Sequence, residues 1–326
     1  MTDPHPLIAA FRDALVAADR SSTATSHLKH LAGFQTWMAG QGVDLADATH
    51  DLLVAYQHWI SQTYRTPAGN PLSRTTVVTR IVVVKALYAW LHRRGLLIVD
   101  PAARLVPPAV PQRLTVAKDH LTQQEVTALL ATAADRAATN DPGSWRWALA
   151  YRDLAAVALA VATGRRCQGL CDLRVSDLDL DRCEVRVERE KGATGRVLPI
   201  AAWAVAATRR YLAGPRQRLL GERPSDHLLV SHRAARLSAA AYALLLEDLV
   251  AATIAANPDL VELPGKRVTA HALRVTFAAT LLFPNGCTIR SLNELMLHTS
   301  LSVTARYTPV ALEALRRALL TAHPRA

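Results

Sequence analysis

Lysine is the scarce residue of this 326-residue chain: five of its 38 basic side chains are lysine (Lys29, Lys85, Lys118, Lys191, Lys266) and 33 are arginine. A GC-rich genome writes basic residues this way, yet guanidinium is also the planar fork that grips phosphate bidentately. Cysteine is nearly as rare. Cys167, Cys171, Cys183 and Cys287 form no CxxC pair and have no histidine at zinc-finger spacing, so reduced thiols are expected and a zinc or disulfide scaffold is not. No basic stretch followed by an apolar run opens the chain, which predicts no signal peptide. The longest apolar stretch, around Leu154 to Ala162, falls short of the ~20 residues a bilayer crossing needs. A soluble, cytoplasmic, nucleoid-associated protein with no membrane partner is the expectation. Acids are too few to balance the bases: 27 against 38 gives a net charge of +11 and a pI near 10.0. That excess favours polyanionic partners, nucleic acid first and anionic membrane surface second.

Carboxylate clusters are also missing. Asp177, Asp179, Asp181 and Glu188 match the acidic positions of a calcium loop, but Arg182 stands where the loop needs glycine, so the segment reads as a solvated turn entering a strand. No other carboxylate grouping has the spacing of a two-metal nuclease, and neither a metal nor an organic cofactor is expected. His227 and His232 read as ordinary histidines. No internal repeat stands out.

What is present is helix. Apolar residues at three and four spacing predict helices over Pro6–Ala18, Ser22–Ala39, Asp47–Tyr64 and Ser73–Arg94, with Val82, Leu87 and Trp90 as a core stripe on the fourth. The stretch from Pro101 to Lys118 holds four prolines and cannot continue a helix. It places a first domain over 1–106, a linker over 107–118 and a second domain over 119–326. The second domain opens with Thr122 and Glu125 at capping-box spacing. Helices follow around Trp145–Thr163 and Cys167–Leu173, then a strand marked by Val185 and Val187, with Val197–Ile200 as its hairpin partner. The remainder is mainly helical. The fold class is therefore mainly α with a small β-sheet.

Six residues in the second domain carry chemistry as an ordered set. Arg166 begins a helix just after a glycine; Lys191 sits in the tip between the two strands; His271 and Arg274, three apart, share a helix face. His298 closes GluLeuMetLeuHisThrSer, and Tyr307 follows nine residues later. Each alone is common. Arg166 at its helix start can meet a phosphate together with free backbone amides, and the reading rests on all six occurring in this order.

Through ThrGlyArgArg at 163–166, GluLysGly with ArgValLeuProIle between 190 and 200, HisAlaLeuArg at 271–274, and LeuHisThrSer through ArgTyrThr to Thr308, the sequence resembles the tyrosine recombinase (phage integrase) family, Xer-type recombinases above all. The start of the chain and its ThrAlaHisProArgAla terminus are similar to Xer proteins as well. The resemblance implies an N-terminal four-helix SAM-like core-binding domain and a C-terminal α+β catalytic domain, acting as a site-specific DNA recombinase. It implies that Tyr307 attacks phosphorus to give a 3′-phosphotyrosine, that Arg166 and Arg274 clamp the non-bridging oxygens, and that Lys191 protonates the leaving 5′ oxygen. His271 would handle the tyrosine proton, and His298 would hydrogen-bond a phosphate oxygen.

Three positions depart from the family pattern: Gly169 where an acid is usual, Val275 for a frequent histidine, and Leu297 for the usual glycine. None removes a proton-transfer or phosphate-binding group. Double-stranded DNA is the implied partner, met in the first domain by Lys29 and His30 on the second helix and by Arg74, Arg80, Lys85, Arg93 and Arg94 on the fourth. A solvated basic face is the other reading of these seven. The apolar segment after Tyr307 packs on its own domain or, as in the family, docks on a neighbouring protomer, giving a tetramer on DNA or a synapse with a paralogous partner. Two rival functions share this framework: a DNA-binding regulatory or architectural protein without efficient catalysis, and a type IB topoisomerase.

Overall fold

The computed structural model describes residues 3–110, 120–187, 196–282 and 288–296. The chain divides into two compact units, Met1–Arg113 and Leu114–Ala326.

The first unit holds four helices: α1 (Pro6–Ala17), α2 (Ser21–Gly40), α3 (His50–Gln62) and α4 (Arg74–Arg93). Pro6 opens α1, where its missing N–H costs nothing, and Ile8, Phe11 and Leu15 line its buried face. The expected third helix starts later than its apolar spacing suggests. Asp44 caps a short 3-10 turn over Leu45–Asp47, and Thr49 caps the helix proper by accepting from Leu52 N. α4 forms despite a run of β-branched residues, because Val77, Ile81, Val84, Leu87, Tyr88 and Leu91 recur at helical period on one buried side. The expected stripe on α4 needs correction. Leu87 is buried and Trp90 half-buried, but Val82 is 50% exposed, since five residues separate it from Leu87, a rotation of about 140°. Gly95, at φ 70°, ends α4 in a Schellman motif, with Leu96 N donating to Leu91 O and Gly95 N to His92 O. Aromatic rings fill the core, Phe34 meeting Tyr56 edge-on at 4.8 Å and Tyr88 donating its hydroxyl to Leu45 O at 3.0 Å.

The second unit begins with α5 (Gln123–Thr139), whose capping box is complete: Glu125 N donates to Thr122 Oγ1 and Thr122 N to Glu125 Oε2. α6 (Trp145–Thr163) runs through the core, with every residue from 155 to 160 buried and alanine at four of those six positions. Small side chains let it pack closely against α5 and α8 (Ala202–Leu212). After α7 (Cys167–Cys171) the chain forms an antiparallel sheet of order β1 (Leu178–Asp179), β2 (Glu184–Val187), β3 (Arg196–Pro199). Val185 and Val187 face inward, with Val185 opposite Leu198. β1 lies within the stretch read as a solvated turn; two of its residues pair with Val185 and Glu184.

Among the described residues the unit continues with α9 (Pro215–Leu220), α10 (Ala239–Ala256), α11 (Ala270–Leu282) and α12 (Ile289–Leu295). Beyond the apolar run at Leu154 to Ala162, α10 has 18 residues of mean hydropathy 1.6, long and apolar enough to cross a membrane by length and composition. In the fold its Tyr242, Leu245, Leu246 and Leu249 enter the core, while Asp248 on the same helix pairs with Arg136 of α5 at 2.6 Å. The three described cysteines are unbridged; Cys171 is buried and burial pushes its thiol up to about 12, so it is held protonated.

Candidate active site

The site is built where the end of α6 meets α11. Gly164 terminates α6 in the left-handed region (φ 57°), and a Cβ there would run into the Phe277 ring of α11. Glycine is thus required twice, for the turn and for the close approach of the two helices. The chain then delivers Arg165 and Arg166, the latter as the N-cap residue of α7 and exposed to solvent.

α11 is pinned along its length. Before its start, the Lys266 ammonium meets both carboxylate oxygens of Glu125 at 2.8 and 2.7 Å, the lysine 10% and the glutamate 3% exposed. Thr269 Oγ1 accepts from Ala272 N, and Thr276 Oγ1 accepts from Leu121 N ahead of α5. This scaffold fixes the two residues three apart on α11. His271 lies exposed on the first turn, whereas Arg274 is buried, at 4% exposure.

Arg274 joins three chain segments. Its Nη1 donates to Gly164 O at 2.5 Å, two residues before Arg166, and its Nη2 to Met296 O at 2.7 Å, at the end of α12 and two residues before His298. The structure therefore brings together Arg274, the turn presenting Arg166 and the segment leading to His298. Lys191, His298 and Tyr307 themselves lie outside the described residues, as do Leu297 and the segment after Tyr307. Among the described residues no three histidine, cysteine or carboxylate side chains gather as a metal site.

One basic side chain at this turn went unread in the sequence. Arg165 folds back so that Nε and Nη2 donate to Gly169 O at 3.1 and 2.9 Å. Burial depresses its pKa most; Asp177 opposes that, and the positive charge of Arg274 adds to it. The available signal was the four-residue spacing between an arginine and a glycine flanking Arg166.

In the first unit, Lys29 and Arg74 are exposed, as are Arg93 and Arg94 at the end of α4. Arg94 lies over the Trp90 ring at 5.8 Å. His30 is half-buried, its pKa lowered by burial and by Arg80. Arg80 and Lys85 have partners within the unit. The Arg80 guanidinium stacks on Tyr64 at 4.8 Å, and the Lys85 ammonium donates to the carbonyls of Leu105 and Ala103. A cleft of about 430 Å³ beside α1 and α4 is lined by Phe11, Leu15 and Trp90 together with Arg20, Arg93 and Arg94.

Comparison with known proteins matches this architecture over both units. The profile of the phage integrase family aligns with residues 119–313, and that of the phage integrase N-terminal SAM-like domain with residues 8–95. The chain belongs to the phage integrase family of tyrosine recombinases. It is 35% identical, over 304 residues and 93% of each chain, to tyrosine recombinase XerC of Mycobacterium bovis (strain BCG / Pasteur 1173P2). Among solved structures it is similar to XerA recombinase, at 25% identity over 98% of this chain and 99% of that one, with a TM-score of 0.50. The fold also matches XerH site-specific recombinase bound to its palindromic difH substrate in a post-cleavage complex, at 16% identity, TM-score 0.64, covering 92% of this chain and 79% of that one.

Proposed function

We propose that this protein is a site-specific recombinase that cuts and rejoins duplex DNA through a 3′-phosphotyrosine formed on Tyr307. The observation that carries this reading is the posture of Arg274, a buried guanidinium bonded at once to the backbone beside Arg166 and to the backbone beside His298. A developing phosphorane needs positive charge already in place when it forms, and such an anchor supplies it without reorganisation at the moment of reaction. Arg166, exposed two residues from the gripped carbonyl, reaches the same phosphate from the solvent side. His271 accepts the Tyr307 proton as the nucleophile attacks, and His298 donates to a phosphate oxygen. Lys191 gives its proton to the leaving 5′ oxygen. The tyrosyl ester conserves the bond energy, so the 5′ hydroxyl of a partner strand regenerates the phosphodiester.

Lys29, His30, Arg74, Arg80, Lys85, Arg93 and Arg94 are the first unit's candidates for holding the duplex, with Lys29, Arg74, Arg93 and Arg94 the more available to phosphate. The boundaries 1–106, 107–118 and 119–326 then separate a core-binding domain from the catalytic domain by a linker that lets both address one duplex. The working assembly is a tetramer on paired sites in the cytoplasm at the nucleoid, homotypic or with a paralogous recombinase. The reaction serves chromosome or plasmid multimer resolution or mobile-element integration.

Covalent capture tests the reading. Cells are lysed in denaturant, the protein is pulled down, and attached DNA is sequenced. Wild type is expected to carry a few discrete loci, and Tyr307→Phe none. Covalent DNA absent from both, with formaldehyde-crosslinked wild type still enriching discrete loci, replaces the recombinase by a DNA-binding architectural protein.

A further inference from the structure

Arg165 is held in a way that its surroundings do not explain as surface charge. It stands between Gly164, whose carbonyl Arg274 grips, and Arg166, and its fork closes on the Gly169 carbonyl. Gly169 makes room for it: a Cβ at 169 would come within 3.2 Å of Arg165 Nη2 and 3.7 Å of Cζ and Nε. The guanidinium therefore occupies the space a side chain at 169 would use. α7 has five residues, too few for its later carbonyls to find partners inside the helix, and the fork serves one of them. The remaining nitrogen, Nη1, is buried with no hydrogen-bond partner, and Arg165 forms no ion pair among the described residues. The nearby acids are engaged elsewhere, Asp172 with Arg236 and Asp177 with the Arg174 backbone N–H. A half-buried cation with one buried, unsatisfied nitrogen is costly to keep, and its position beside a reaction site calls for a role there.

We propose that Arg165 is a positioning residue for strand cleavage: by clamping the Gly169 carbonyl across the turn that bears Arg166, it fixes the direction in which Arg166 meets the scissile phosphate. The inference rests on the recombinase reading above, with Arg166 as a phosphate ligand. Arg274 holds the turn one residue before the clamp begins, and Arg165 holds it three residues after Arg166, so the exposed guanidinium departs from backbone fixed on both sides. Misplacing a group in such a site by about 1 Å costs up to about 10²-fold in rate while leaving binding largely intact. Arg165 and Gly169 act as a pair, since a Cβ at 169 would crowd the fork and, among the described residues, the fork's hydrogen bonds go to the Gly169 carbonyl.

The test uses the full chain in its native cell, with two readouts for each variant: covalently attached DNA after denaturing pull-down, and occupancy after formaldehyde crosslinking. Arg165→Leu is expected to lower the ratio of covalent DNA to occupancy about tenfold or more, with occupancy within about twofold of wild type. Arg165→Lys keeps the charge without the fork and is expected to stay within about threefold of the leucine variant. Gly169→Ala alone pushes the fork and lowers the ratio severalfold; added to Arg165→Leu it changes nothing more, because the contact it disturbs is already gone. A wild-type ratio in Arg165→Leu or in Arg165→Lys, or independent effects in the double variant, overturns the proposal. Should Arg165→Leu fail to accumulate, Gly169→Ala decides: a lowered ratio at normal abundance supports the clamp, and an unchanged ratio overturns it. Loss of covalent DNA from wild type itself is a separate result, which removes the recombinase reading and this inference with it.

Discussion

The two units bury different chemistry. Among the described residues of the first, no charged, amide or small hydroxyl side chain is fully buried; its core is aliphatic and aromatic, with Phe34, Tyr56 and Tyr88 interlocked. The second buries Glu125, Arg152 and Arg274, together with four threonines. Buried charge lowers stability unless every donor and acceptor is met. Its concentration in the second unit, along the elements that set the geometry of α11, teaches that polar burial here buys position rather than stability. The first unit does without it.

Two lysines make that contrast measurable. Lys266→Met leaves the Glu125 carboxylate buried beside its own cap without a cation, and is expected to cost the second unit about 3–5 kcal/mol, read from its calorimetric transition. Next in size, Gly164→Ala drives a Cβ into the Phe277 ring and forces an L residue into the left-handed region. The expected loss is about 2–4 kcal/mol by chemical denaturation, with covalent DNA capture reduced further than stability alone accounts for. Smallest is Lys85→Met in the first unit, where a half-buried ammonium serves two backbone carbonyls. About 1 kcal/mol is expected, in the first unit's transition only. A Lys85→Met loss equal to that of Lys266→Met breaks the comparison.

The sequence showed much of this. The capping box at Thr122 and Glu125 and the bounds of α6 are local signals, and both stand in the structure as read. The family fold was legible because its motifs lie in order along the chain, at positions 163–166 and 271–274 among those described. What escaped reading depended on distant partners. β1 is two residues long and exists only because β2 passes beside it. Val82 was placed inward because apolar character alone does not fix a rotation about the helix axis. Lys85 looks like its exposed basic neighbours on α4 until the chain returning through Ala103 and Leu105 brings carbonyls to it. Arg165 was overshadowed by Arg166, since nothing in a list of residues says which of two adjacent arginines turns back toward the backbone.

Arg274 has one more consequence. A single side chain riding on α11 takes its two carbonyl partners from the ends of α6 and α12, so its posture is correct only when all three helices are seated. It works as an interlock. A chain misassembled at any of the three loses the posture of this guanidinium, which the proposed mechanism needs as its phosphate clamp, while the exposed basic residues of the first unit are untouched by that fault. On the proposed mechanism such a defect leaves the duplex held but uncut, so that failure of the fold becomes failure on the safe side.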